Sequence, residues 1–153
     1  MRVLEAIQRS LRGETVEGFA MKFPAPVATL IGFEAVQVEE GATVFRLEVR
    51  RDKHANPMGT LHGGILCDVA DAAMGIACAS LLAQGESFTT LELAIHFLRP
   101  VTEALLEARA RVVQEGKTMV YVECDVVALP GEKLVARSSC TCLVLRGEQA
   151  KGR

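Results

Sequence analysis

The chain has no tryptophan, one tyrosine and six phenylalanines in 153 residues, so few large rings are available for a core or a stacking surface. Histidine is as scarce: the three copies, at 54, 62 and 96, are too dispersed to form a metal ligand set, and no metal is expected. The five cysteines are odd in number and lack a Cys-x-x-Cys pair, and Cys124, Cys140 and Cys142 fall in strand-like runs. That pattern excludes a disulfide or zinc framework and points to a reduced, cytoplasmic protein. With 17 basic against 19 acidic residues and a formal charge of −2, no basic field exists to hold a nucleic acid.

An uninterrupted apolar span is missing too. Residues 65–83 are long enough to cross a bilayer, but they carry Asp68 and Asp71. Each acid costs roughly 2.5–3.5 kcal/mol near a membrane centre, so this segment is a buried helix, and no membrane partner is expected. Apolar nearly all round, it must be wrapped on most sides. Residues 2–12 are broken by charges and lack the apolar core of a signal peptide; they predict a short surface helix.

At this length the chain forms one domain, residues 1–153, with a single core. Pro24 and Pro26 begin an extended approach to Ala28–Phe33, and residues 43–50 alternate as a half-buried strand. The long helix opens at Gly63 or Gly64 and stops near Gln84-Gly85. Four extended runs follow, at 88–98, 104–113, 118–128 and 133–145. The turn signals between them, Arg99-Pro100, Glu115-Gly116-Lys117 and Pro130-Gly131, predict an antiparallel meander. The class is α+β, a long central helix wrapped by a curved antiparallel sheet of five or six strands.

What is present is a run from Asn56 through His62-Gly63-Gly64 to Asp71, which puts a histidine and two glycines at the mouth of an apolar helix that contains acids. Free N–H groups at a helix start form a site for an anion or a developing oxyanion. Asp71 lies eight residues beyond Gly63, about 12 Å along the axis. Catalytic groups must come within roughly 3 Å of the atoms they act on. If both participate, they come from different chains, which predicts a homodimer with two equivalent sites.

The spacing of Asn56, Gly59, His62-Gly63-Gly64, Asp71 and then Thr90 in a Thr-x-Glu-Leu strand ending in Arg99-Pro100 resembles the hotdog-fold acyl-CoA thioesterases, in particular their phenylacetic-acid-pathway (PaaI-like) group. The resemblance covers roughly residues 28 to 145. It implies a hotdog fold, a dimer or dimer of dimers, hydrolysis of acyl-CoA to free acid and coenzyme A, and no cofactor. It makes Asp71 the nucleophile or general base and Gly63 the backbone donor to the thioester carbonyl. Asn56 and His62 hold the mouth, and Thr90 orients the water or the carboxylate.

Other readings stand beside this one. Asp68, one turn earlier, either shares the site or serves as a first-turn acid favouring the helix dipole. His62 suits a loop anchor better than a general base. Strict alternation turns Thr90 away from Leu91, Leu93 and Ile95, so it meets the helix only through a twist or bulge; Thr89 is the fallback. Cys67 and Cys78 suit small core residues. Arg99, Lys117, Lys133 and Arg137 lie near strand ends or turns, where each is either an ordinary solvated charge or a place for a coenzyme A phosphate to dock, and Gly64, Arg99 and Lys117 are the substrate-binding candidates. The rival functions are a hotdog hydratase or dehydratase, which needs a histidine near the carboxylate, and a non-catalytic acyl-CoA-binding protein.

Overall fold

An apolar helix of this length needs walls, and the sheet supplies them. In the computed structural model, which describes residues 1–152, helix α4 (Gly63–Ala79) contacts all six strands. Leu66, Val69, Ala70, Ala73, Met74, Ala77 and Cys78 are buried between them, so successive helix faces are covered by different parts of one curved sheet. Before α4 come α1 (Val3–Leu11), α2 (Pro26–Ile31), β1 (Phe33–Glu39), β2 (Ala42–Glu48) and the single turn α3 (Arg51–His54). After it come β3 (Ser87–Phe97), β4 (Leu105–Glu115), β5 (Met119–Leu129) and β6 (Lys133–Leu145). The sheet is antiparallel in the order β1-β2-β4-β5-β6-β3. This is the hotdog arrangement that the resemblance implies. Among the described residues no helix is long and apolar enough to cross a membrane.

The four runs after α4 are strands but not a meander. β3 lies at the sheet edge against β6, while β4 inserts between β2 and β5. The segment 98–104 makes the crossing because its backbone is pinned on the way. Leu98 and Arg99 donate to Val135 O, Val101 O accepts from Leu61 N–H, and Ala104 O accepts from Val49 N–H. Arg99-Pro100 is therefore a crossover, where a tight hairpin was expected.

Two more expectations need correction at the front of the chain. The approach to Phe33 is not extended: Pro26 starts helix α2 at a position where a missing N–H costs nothing, and Gly32 ends it with φ 95°. Phe33–Glu39 is a strand in its own right, closed onto β2 through Glu40 and Gly41. Helix α4 stops at Ala79, short of Gln84-Gly85. Ser80 ends it by donating to Ala77 O while accepting from Gly41 N–H, and Thr43 donates to Ala73 O, which ties the helix to the β1–β2 hairpin.

His54 turns out to be a buried structural residue. Its Nδ1 accepts from Arg50 N–H, its Nε2–H donates to Ile31 O, and its carbonyl accepts from His62 N–H. One imidazole thus fixes the loop before α4 to the end of α2. His96 is exposed on β3.

Candidate active site

The start of α4 is assembled from local sequence. Asn56 closes a loop on itself: its Oδ1 accepts from Met58 and Thr60 N–H, and its Nδ2 donates to Thr60 Oγ1 at 2.9 Å. Gly59, at φ 87°, makes the turn possible. His62 is the N-cap, and its Nδ1 accepts from Gly64 N–H at 3.0 Å. Gly64 N–H is thereby occupied, whereas Gly63 N–H meets no acceptor among the described residues. A Cβ on Gly63 would lie 3.0 Å from the Phe97 ring, so glycine lets that ring lie over the helix mouth. Asn56, Gly63, Phe97 and Arg99 share one cleft.

Asp71 opens into a different and larger cavity, of about 550 Å³. One stripe of α4 faces it: Asp68, Asp71, Ala72, Gly75 and Ile76, the i, i+3, i+4 spacing of a single helix face. Thr90 lies opposite, its hydroxyl 3.5 Å from Asp71 Oδ1 and 3.9 Å from Cys142 Sγ. Asp71 is reached by solvent in the single chain, yet enough protein surrounds its carboxyl for desolvation to raise its pKa. The neighbouring Cys142 and Asp68 add to that rise, and the Thr90 hydrogen bond opposes it. Asp68 is exposed at the same rim and makes no hydrogen bond among the described residues.

Thr90 reaches the helix because β3 is bulged. Thr90 pairs with Cys142 and Glu92 with Thr141, which leaves Leu91 as an extra residue. Before the bulge, Phe88 and Thr90 point at α4; after it, Leu93 and Ile95 pack on the core and Phe97 covers Gly63. The Thr89 fallback is not needed to bring a hydroxyl to Asp71.

The remaining candidates are dispersed. Arg99 borders the mouth cleft, but Lys117 sits in the β4–β5 turn at the other end of the sheet. Arg99 is anchored beside Val135 and Thr118 beside Val144, nine residues of β6 apart, or about 30 Å. One chain does not bring both to one phosphate. Hydrogen bonding to Cys142, then burial, pushes the Cys78 and Cys140 thiols up, which leaves neither as a nucleophile at neutral pH. Absent from the sequence-level candidates were the cavity wall residues Phe23, Phe33, Phe45, Phe88 and Gly75, and the Thr90 neighbour Cys142. Gly75 did carry a signal: a glycine inside a helix costs about 1 kcal/mol relative to alanine and calls for a packing reason. Its reason is Phe88, whose ring lies 3.2 Å from where a Cβ would be.

A sequence model described as the thioesterase superfamily matches residues 58–135, which include His62, Gly63, Asp71 and Thr90. The chain belongs to that superfamily. This thioesterase is 34% identical over 114 residues to the 1,4-dihydroxy-2-naphthoyl-CoA hydrolase of Listeria monocytogenes, an alignment covering 74% of this chain and 91% of the relative. Its fold matches the E. coli PaaI protein from the phenylacetic acid degradation operon, with a TM-score of 0.73, 28% identity and coverage of 81% and 87%. It also matches a variant of the phenylacetic acid degradation protein PaaI of Thermus thermophilus, with a TM-score of 0.71, 29% identity and coverage of 78% and 98%. The thioesterase is therefore a PaaI-like hotdog protein and a thioester hydrolase by family.

Proposed function

We propose that the protein hydrolyses acyl-CoA thioesters to a free acid and coenzyme A, as a homodimer or a dimer of dimers whose sites are each shared by two chains. The observation that carries this reading is the separation of the two halves on one helix. The free Gly63 N–H and the cavity-facing Asp71 carboxylate open into different hollows, about 12 Å apart along the axis. Two-fold pairing brings the mouth of one helix to the middle of the other. The long edge strand β3 supports pairing as well, since it has one neighbour only and exposes Leu91 and Phe97.

In the completed site, Asp71 acts as nucleophile on the thioester carbonyl or as base toward an attacking water, and Thr90 orients the carboxylate. The Gly63 amide of the second copy donates to the developing oxyanion. Such a donor is typically worth about 10²–10³ in rate. Collapse breaks the C–S bond and releases the good thiolate leaving group, which takes a proton from solvent. Where water attacked, its proton passes to Asp71 and the free acid forms directly; where Asp71 attacked, water then hydrolyses the acyl–Asp71 anhydride to the free acid and restores the carboxylate. Asn56 and His62 shape the mouth. Arg99, at its rim, is the better placed of the two basic candidates for a coenzyme A phosphate, whereas Lys117 reaches one only if it comes from another chain. The hydratase reading needs a histidine at the carboxylate, and within one chain none lies beside Asp71; pairing would bring only the second copy's His62, whose Nδ1 is already taken by Gly64 N–H. His54 is held on both ring nitrogens, His62 caps the far mouth, and His96 faces solvent.

The test is thiol release from a broad acyl-CoA panel by the wild-type, Asp71→Asn and Asp68→Asn proteins. The expected result is hydrolysis by the wild type, near-complete loss with Asp71→Asn and retention with Asp68→Asn. Full activity in Asp71→Asn would overturn the assignment, and tight acyl-CoA binding without turnover across the panel would replace hydrolysis with a binding role.

A further inference from the structure

Resting on the thioesterase reading, we infer that the acyl group taken by this chain is a linear medium-length aliphatic chain, seated along the Asp71–Ile76 stripe of α4 and capped by the α1–α2 segment. The cavity begins at the two acids and continues past Ala72 and Gly75 to Ile76, with the smallest side chains in the middle of the stripe. From Asp68 to Ile76 is eight residues, about 12 Å of helix. At about 30 Å³ for a water-sized group, a volume of about 550 Å³ holds on the order of eighteen such groups. A benzoyl or phenylacetyl group, of eight or nine non-hydrogen atoms, leaves about half of it empty, and a decanoyl group, of eleven, fills more of it.

The chemistry of the wall favours an alkyl chain over a hydroxylated arene. Apart from the two acids, Thr90, Ser10 and Glu34, the lining is apolar, with the rings of Phe23, Phe33, Phe45 and Phe88 its largest side chains. None of these rings offers a hydrogen bond, so an arene hydroxyl lying against them, away from Ser10, Glu34 and the acids, would lose its water without replacement. Phe23, Pro24, Ala25, Val27 and Ala28 close the cavity from a segment that lies wholly before residues 58–135, the part matched by the superfamily model. This wall is thus contributed by the chain's own N-terminal elements. Val27 is 46% exposed, so its side chain can be enlarged toward the cavity with little disturbance of the core.

Initial rates with butyryl-, octanoyl-, decanoyl-, benzoyl-, phenylacetyl- and 1,4-dihydroxy-2-naphthoyl-CoA test this. Burial of each added methylene raises kcat/KM about fourfold until the cavity is filled, giving decanoyl-CoA the highest value. In Val27→Trp, with Val27→Phe as the milder change, the ratio of decanoyl to butyryl kcat/KM falls about tenfold or more. Faster hydrolysis of any of the three aryl thioesters, a flat chain-length series, or an unchanged ratio in both variants would overturn the inference while leaving hydrolysis standing. No turnover of any thioester would overturn hydrolysis and the acyl assignment together.

Discussion

The Asp71 carboxyl occupies a position that costs the native state free energy. Desolvation raises its pKa, so the folded protein binds this proton more tightly than the unfolded chain, and the group's contribution to stability declines as pH rises through the window above the ordinary aspartate value. Asp71→Asn should therefore melt at a higher temperature than wild type near neutral pH, while kcat falls by about 10²–10⁴, the range for a lost base. A scanning melt beside an acyl-CoA assay checks both. The same shift places the acid limb of the kcat/KM profile above the pKa of an unperturbed aspartate, as a pH–rate series would show. Thr90→Val removes the opposing hydrogen bond, so it should move that limb further upward and lower kcat less than Asp71→Asn does.

At the scale of elements, the frame depends on side chains that stitch loops to helices. His54→Ala strips the partner from Arg50 N–H and from Ile31 O inside the protein and leaves a void, so it should cost about 2–4 kcal/mol, read from a denaturant midpoint. A helix wrapped by an antiparallel sheet was legible because α4 is apolar nearly all round and the runs after it are set apart by turn signals. The hotdog fold itself came with the family resemblance, and the helix mouth was legible because His62 and the glycines are local signals. The β3 position was not. Arg99-Pro100 looks like a hairpin turn, and only the distant backbone partners at Val135, Leu61 and Val49 turn it into a crossover. The facing of Thr90 likewise depends on the Leu91 bulge, which arises from pairing with β6 and leaves no mark in the alternation of β3 itself. The hydrogen bonds of His54 reach to Ile31 and were equally invisible from its neighbours.

Across the whole molecule, charge adds to the helix–sheet core, and the proposed pairing of two chains would complete the site. On the sheet, the buried carboxylate of Glu107 bridges Arg46 at 2.7 Å and Arg109 at 2.7 Å, and Arg109 also holds Glu132. Hydrogen bonding to Arg109 holds Glu107 below the usual glutamate range despite the penalty of burial. Its contribution to stability is present above the unfolded value near 4.5 and is lost as pH falls through the folded one. Glu107→Gln should cost about 2 kcal/mol at neutral pH and flatten the acid-side loss of stability, which urea melts at several pH values would measure. The proposed two-chain site rests on the observation that in a single chain Asp71 and the Gly63 amide face different hollows. Complementation between two inactive variants tests this most directly. Asp71→Asn removes the carboxylate, and Gly63→Pro removes the amide donor at the first helical position, where the backbone accepts proline once the exposed Phe97 ring shifts off its Cβ. Each variant alone should be nearly inactive. Unfolded together and refolded as a mixture, they should recover about a quarter of wild-type activity, because half of the dimers are mixed and each of those holds one intact site. No recovery from a mixture shown to contain mixed dimers would mean that Asp71 and Gly63 serve the same site within one chain, and the two-chain site would be wrong.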